Sequence, residues 1–315
     1  MPESVGRWSH PTVILVATDL SDLDRVIPFA IKEATETESR LLLIHVLNAS
    51  AAIAVDAVGL PYYDPASAAD YAAKTLEAWR SIAHQKGVAC DILIREGNAA
   101  QQIAAAARQF NAGRVLLGTR SRGKVSKLLL GSVAEQVLRS VNLPVMTVGP
   151  EAHLPVQSSL TPRVVLHATT LRETSRPSAA LACQIAIAQR ARLVLLHVMP
   201  TAADGKNASI ELEAAAKAEL AALAEATGSN EMGCPACVES RVVNGNPAIE
   251  ILAMASELDA SLIVLGATQR SALQNLTRDR TIYRVLAHAR CPVLTLREAA
   301  MTVPQPPETA SLLHF

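Results

Sequence analysis

Leu41-Leu42-Leu43-Ile44-His45-Val46 returns later in the chain as Leu193-Val194-Leu195-Leu196-His197-Val198, an offset of 197 − 45 = 152 residues. Gly97-Asn98 and Val115-Leu116-Leu117-Gly118 return as Gly245-Asn246 and Ile263-Val264-Leu265-Gly266, at 266 − 118 = 148. Pro144-Val145 returns as Pro292-Val293 at the same 148. Solenoid repeats are several-fold shorter, so self-similarity at this period means two tandem copies of one domain. Differences between the copies then become informative.

Length and composition agree with this reading. A chain of 315 residues fits two domains that each bury a core. Only 3% of residues are aromatic, so those cores must be built from Val, Leu, Ile and Ala. Scarce aromatics argue against base-stacking platforms. Balanced charge, 29 basic against 29 acidic, gives no electrostatic reason to expect nucleic acid or an anionic membrane as partner. No apolar stretch approaches the roughly 18 residues a membrane helix needs. Met1-Pro2-Glu3 followed by Ser9-His10-Pro11 lacks the pattern of a signal peptide. A cytoplasmic location is expected.

Short apolar runs alternate with longer segments of helical period, which predicts a parallel sheet with crossover helices. In the first copy the strands fall at Val13–Thr18, Leu41–Leu47, Asp91–Arg95, Arg114–Gly118 and Val145–Val148. Helices fall at Asp22–Thr37, Ser67–Gln85, Ala100–Phe110 and Ser132–Ser140, with Ser21 and Asp24 spaced as a capping box. Strands so continuously apolar are covered on both faces, as in doubly wound sheets. The second copy repeats the order from Val164 to Leu296. The expected fold class is therefore α/β, with two tandem doubly wound domains of five parallel strands each. The divisions are residues 1–150, a Pro- and Ser-rich linker 151–162, residues 163–297, and a loose tail 298–315. Asn48–Ala66 is long for a connection, and either covers the crevice or is a surface loop.

Five cysteines do not suggest a disulfide framework. Cys90, Cys183 and Cys291 lie in apolar surroundings, as small core residues do. Cys234-Pro-Ala-Cys237 has redox spacing, but no helix follows it and no second ligand pair accompanies it, so no metal is assigned.

Ligands of doubly wound sheets bind beyond the carboxyl ends of the strands, where connectivity reverses. Ala17-Thr18-Asp19 ends the first strand there, and Gly118-Thr119-Arg120-Ser121-Arg122-Gly123-Lys124 ends the fourth. Gly131-Ser132-Val133 then opens a helix whose amides and dipole suit a phosphate. Gly118-x4-Gly123-Lys124 nearly spells a P-loop, but Val125 cannot hold Mg²⁺ as that motif's Ser or Thr does.

Gly118-x2-Ser121-x9-Gly131-Ser132, with Val133-Ala134-Glu135-Gln136-Val137-Leu138 and Pro144-Val145, resembles the ATP-binding signature of universal stress proteins, Gly-x2-Gly-x9-Gly-Ser/Thr. The likeness spans both copies and implies the adenine-nucleotide alpha-hydrolase-like version of the fold. It also implies an ATP site, open to AMP or ADP and assisted by Mg²⁺. Asp19 would contact adenine or ribose, Ala17 and Thr18 would lie beside the base, and Val46 would offer main-chain atoms to the adenine edge. Leu117, Gly118, Ser121 and Arg122 would line sugar and phosphates. Gly131, Ser132 and Val133 would hold phosphate.

Ser121 departs from the motif's second glycine, and would weaken the site if that position needs φ > 0. In the second copy Asp19 becomes Thr170, Ser121 becomes Gln269, and Gly131-Ser132 becomes Asp279-Arg280, which puts a carboxylate where phosphate would sit. Plainer readings stand beside these. Asp19 can serve as a helix cap and Gly131-Ser132 as an ordinary helix start, while His45 and His197 recur in both copies as hydrogen-bonded core histidines do. The implied function is a stress-response regulator that binds ATP in its first domain, pairs its two domains through their last strands, and can form homodimers. No general base, nucleophile or metal cage is evident, so it is not expected to be an enzyme. The alternatives are a nucleotide-independent interaction scaffold and a slow ATP hydrolase.

Overall fold

The computed structural model describes residues 3–47, 54–55, 61–62, 65–119, 130–154, 162–199, 206–227, 238–267 and 280–297. Glu3–Ser9 forms a short helix, α1, that hydrophobic periodicity does not announce. The first repeat then runs β1 Val13–Ala17, α2 Leu23–Thr37, β2 Arg40–Leu47, α3 Pro65–Gln85, β5 Cys90–Glu96, α4 Ala99–Gln109, β6 Arg114–Gly118, α5 Ser132–Ser140 and β7 Val145–Val148. Between β2 and α3, Ala54–Val55 (β3) and Pro61–Tyr62 (β4) pair antiparallel as a separate two-residue ladder. The second repeat runs β8 Val164–Ala168, α6 Arg176–Ala188, β9 Arg192–Met199, α7 Lys206–Ala226, β10 Val238–Asn244, α8 Pro247–Glu257, β11 Leu262–Ala267, α9 Arg280–His288 and β12 Val293–Arg297.

All ten long strands form one sheet, in the order β10-β9-β8-β11-β12-β7-β6-β1-β2-β5. Each repeat contributes five parallel strands, as the alternation predicts. They join at a single antiparallel step, β7 on β12, so each repeat's last strand covers the other's edge. The inner strands β1, β6, β7 and β12 are buried almost end to end, consistent with helices on both faces. The outermost strands β5 and β10 carry Asp91, Arg95 and Glu96, and Glu239 and Arg241, and are only partly buried. Charge at an open edge discourages pairing with another sheet.

The two faces of the sheet are organised differently. On one, residues from α1, α2, α3, α6 and α7, including Trp8, Ile27, Leu76, Leu181 and Leu220, form one apolar cluster that crosses the seam. On the other, α4 and α5 cover the first repeat, and α8 and α9 cover the second, as two clusters. The shared face is reinforced by Glu36 of α2, whose carboxylate accepts bonds from Arg163 (2.6 Å) and Gln189 (3.3 Å) of the second repeat. α1 belongs to the same junction. It packs on α6, Arg7 donates to the Ala112 carbonyl at 3.1 Å, and the buried Arg114 guanidinium donates to the Trp8 carbonyl at 2.8 Å while pairing with buried Glu33. Gly113 admits this segment, since a Cβ there would lie 2.8 Å from Pro11 Cβ and 2.9 Å from the Arg7 carbonyl.

Several local expectations are refined. β1 ends at Ala17, one residue before Thr18. α2 takes Asp22 as its N-cap residue, one beyond Ser21, and the Asp22 side chain makes no cap bond. Asn98 and Asn246 do cap their helices: Asn98 Oδ1 accepts from the Gln101 amide at 3.0 Å and Asn246 Oδ1 from the Ala248 amide at 3.1 Å. Gly97 precedes its Asn with φ +114°, a conformation that favours glycine. This explains the repeated Gly-Asn pair in the first copy. Cys90, Cys183 and Cys291 are buried free thiols, and burial pushes Cys90 and Cys291 up to about 12. Cys234 and Cys237 lie outside the described residues, as do most of the linker and the tail. Among the described residues, no helix is long and apolar enough to cross a membrane.

Candidate functional site

The reversal of strand order in the first repeat falls between β1 and β6, where Ala17 pairs with Leu117. Both side chains are buried in the first-repeat core, so these two residues face the crevice only through their main chain. Beyond Ala17 the chain is tightly engaged. The Thr18 amide donates to the Ile44 carbonyl at 3.1 Å, and the Thr18 carbonyl accepts from His45 Nδ1 at 3.0 Å. The Thr18 hydroxyl accepts from the Leu20 amide at 2.9 Å and donates to Asp22 Oδ1 at 2.9 Å. Leu20 takes φ +71° to complete the turn. His45 is therefore a half-buried clamp on the end of β1, and His197 does the same to the Thr169 carbonyl at 2.9 Å. Val46, half-buried, pairs with Arg95 of β5, while β1 has ended opposite Ile44.

Asp19 is exposed at the mouth of the crevice. Its Oδ1 accepts from the Ser21 amide at 2.9 Å and the Ser21 hydroxyl at 2.7 Å, an Asx turn that fixes the carboxylate. A second carboxylate, unanticipated from sequence, lies behind it. Asp22 is buried, with Oδ2 packed on Gly118 so closely that no Cβ could stand at that position. Arg25 is 3.8 Å away. Burial pushes the Asp22 carboxyl up to about 6; the Thr18 hydroxyl opposes this, the Asp19 charge adds to it, and Arg25 opposes it. Gly118 thus leaves the room that the Asp22 carboxylate occupies.

The third component is the start of α5. Gly131 is its N-cap residue with φ −61° and ψ 141°, values any residue adopts, and as a glycine it brings no capping side chain. The Gly131 amide donates to the Thr119 carbonyl at 2.8 Å, which ties α5 to the end of β6. Ser132 and Val133, in the first turn, are exposed. Thr119 is buried, and among the described residues its hydroxyl has no hydrogen-bond partner. Ser121 and Arg122, with Arg120, Gly123, Lys124 and Lys127, lie outside the described residues. Among the described residues no three His, Cys, Asp or Glu side chains gather as metal ligands.

The second repeat keeps the turn and changes the ligand-facing groups. Thr169 repeats Thr18, donating its amide to the Leu196 carbonyl at 2.9 Å, and Leu171 repeats the positive φ at +58°. Thr170 stands in place of Asp19, its hydroxyl 3.2 Å from that of Ser175. A 3-10 turn, Glu173–Ser175, replaces the direct helix entry. Gln269 and Asp279 lie outside the described residues, and Arg280 opens α9.

The fold and crevice define a tandem pair of doubly wound α/β domains joined edge to edge, each with a crevice at its strand reversal. The profile of the universal stress protein family matches residues 12–149 and again residues 162–297, and the chain belongs to that family. A universal stress protein of Methanocaldococcus jannaschii is 27% identical over 136 residues, covering 43% of this chain and 80% of its own length. Among solved structures, a universal stress protein from Archaeoglobus fulgidus has a TM-score of 0.68 at 21% identity, covering 92% of this chain and 97% of its own. A protein of unknown function from Pseudomonas aeruginosa has a TM-score of 0.60 at 19% identity, covering 94% of this chain and 96% of its own. Both show the same two-repeat fold.

Proposed function

We propose that the first repeat binds an adenine nucleotide, ATP in particular, and that the second does not bind it in the same way. The reading rests on one juxtaposition. An exposed, turn-fixed carboxylate at Asp19, the glycine end of β6 at Gly118, and the glycine start of α5 at Gly131 all border the strand reversal. Asp19 would hold adenosine through the carboxylate that the Ser21 turn fixes at the mouth of the crevice. The amides of Ser132 and Val133 and the Ser132 hydroxyl would take phosphate oxygens. The buried Thr119 hydroxyl, without a partner among the described residues, is one that a bound phosphate or its water would satisfy. Ala17, Thr18, Val46 and Leu117 would contribute main-chain atoms and shape, and Ser121 and Arg122 would approach the sugar and phosphates. We assign no general base or nucleophile among the described residues of this site. Occupancy is then the output, as suits a cytoplasmic stress-response regulator. In the second repeat Thr170 brings no carboxylate, and Asp279, the sequence counterpart of Gly131, would bring a negative charge toward a phosphate.

Mass spectrometry of small molecules released from denatured protein, followed by calorimetry with ATP, tests this. One adenine nucleotide per chain is expected. Two equivalent sites would refute the asymmetry, and no binding would favour a nucleotide-independent scaffold.

A further inference from the structure

Asp22 is the N-cap residue of α2, yet its side chain does not cap the helix. An aspartate in that place ordinarily accepts from an amide of the first turn, which is worth about 1 kcal/mol to the helix. Here only the Asp22 carbonyl serves α2, accepting from the amides of Arg25 at 3.0 Å and Val26 at 2.9 Å. The carboxylate turns the other way, into the protein, and the residue is 5% exposed. Burying a carboxylate carries a desolvation cost. Both the forgone cap and the burial therefore run against the stability of α2, and the contacts that hold the side chain inward lie elsewhere.

Those contacts join two separate pieces of the crevice. Oδ1 accepts from the Thr18 hydroxyl at 2.9 Å, and the same hydroxyl holds the Leu20 amide at 2.9 Å, so Asp22 fixes the turn that presents Asp19. Oδ2 packs on Gly118 in the space a Cβ would take, with Asp22 Cγ 3.1 Å from that point. Gly118 leads directly into Thr119, whose amide donates to the Val148 carbonyl at 3.1 Å and whose carbonyl holds the Gly131 amide at 2.8 Å, at the start of α5. We propose that Asp22 is a positioning residue that couples the two ends of the first-repeat site: through it the adenosine end at Asp19 and the phosphate end at Gly131 are held in one register, and ordering either end orders the other. This rests on the nucleotide reading of that site and assigns how its two ends act together. A ligand seated at one end then meets the other already ordered, which makes base and phosphate contacts cooperative. The second repeat keeps the turn and changes the coupler. The Leu171 amide donates to the Thr169 hydroxyl at 3.1 Å, but the N-cap residue of α6 is Ser175, whose buried hydroxyl lies 3.2 Å from that of Thr170.

Calorimetry with ATP on the full chain, with the folding of each variant checked by urea titration, tests the coupling. Asp22→Ala should weaken ATP roughly tenfold. Asp22→Asn, which keeps an acceptor for Thr18 and the bulk against Gly118, should restore binding to within about twofold of the parent. Gly118→Ala puts a methyl where the carboxylate sits, so it should cost as much as Asp22→Ala in the parent and nothing further once Asp22→Ala is present. Equal losses from Gly118→Ala in both backgrounds, or an Asp22→Ala chain that binds ATP like the parent, would overturn the proposal. Hydrogen exchange without ligand reads the coupling directly. Asp22→Ala should speed exchange at the Leu20 and Gly131 amides together, by roughly tenfold, while the Gln101 amide held by Asn98 stays as in the parent. An unchanged Gly131 amide would overturn the proposal even if ATP binding is weakened. A parent that binds no ATP would instead refute the nucleotide reading, and the exchange result would still decide the coupling.

Discussion

Met146 and Leu294 face each other across the seam between β7 and β12, and they are the same position of the repeat, since 294 − 146 = 148. The neighbouring pairs, Thr147 with Val293 and Val145 with Thr295, exchange counterparts in the same way. A local two-fold axis therefore passes between Met146 and Leu294. The symmetry is imperfect in one hydrogen bond: the Thr147 hydroxyl donates to the Val293 carbonyl at 3.2 Å, whereas the buried Thr295 hydroxyl has no partner among the described residues.

A half-chain ending after residue 154 would expose both the β7 edge and its part of the shared apolar face. Two such halves can rebuild the ladder, with Met146 opposite Met146, so the isolated first repeat should dimerise or aggregate. Light scattering after gel filtration measures this, and a stable, folded monomer would contradict the role assigned to the seam.

Two buried groups should give stability opposing pH dependences. His167, in place of Val16 on the central strand of its repeat, donates Nδ1–H to the Val264 carbonyl at 3.1 Å, and its buried Nε2 has no partner among the described residues. Burial pushes it from an ordinary 6.5 down to about 4. Between those values the unfolded chain takes up a proton that the folded chain refuses, so stability falls as pH drops, by about 3 kcal/mol over the window. Asp22, raised from 3.8 to about 6, behaves in the opposite sense. The folded chain keeps a proton that the unfolded one releases, so stability falls as pH rises through that range, by a similar amount. Urea titrations of the parent should be comparatively flat from pH 4 to 6.5. His167→Val should leave stability declining with rising pH, and Asp22→Asn should leave it increasing. Parallel slopes for the two variants would show that these groups do not control the profile.

The pair Arg114–Glu33 is buried, with the arginine pushed down to about 10 by its burial. The second repeat holds Leu262 and Gln184 at these positions, 114 + 148 and 33 + 151. Arg114→Leu alone strands a buried carboxylate and should cost roughly 3–5 kcal/mol. Adding Glu33→Gln should restore much of that, although the Trp8 carbonyl still loses its donor. A double variant as unstable as the single one in denaturant titration would show that the anchorage of α1, more than the charge, sets the cost.

If the first repeat binds ATP as proposed, Asp19→Ala should weaken ATP and AMP alike, because both share the adenosine. Gly131→Val should weaken ATP more than AMP, by placing a branched side chain at the start of α5. Each lost charged hydrogen bond should cost on the order of 1.5–3 kcal/mol, roughly ten- to a hundred-fold in affinity by calorimetry. Equal losses for both ligands with Gly131→Val would move the phosphates away from α5.

The sheet was readable from sequence because its signals are local: β6 and β7 run over the expected residues and β1 within one of them. What could not be read depends on distant partners. α1 is too short to show a period, and it is held by Arg114, a residue that looks like the charged start of an edge-facing strand. Asp22 lies in a Ser-Asp-Leu-Asp run that suggests a solvated turn. It is buried only because Gly118, ninety-six residues later (118 − 22 = 96), leaves room for it. The candidate site was legible as a motif, but its engaged residues, Thr18 and Asp22, follow from packing that no short window contains.

The lone antiparallel step in the sheet makes the molecule bipolar. Strands of the first repeat deliver their carboxyl ends to one pole and those of the second repeat to the opposite pole. The two crevices therefore point away from each other, and a flat partner cannot read both at once. Each pole instead displays the crevice of one repeat beside the underside of the other. A protein docking at a single pole thus meets surfaces from both halves while having access to only one of the two pockets.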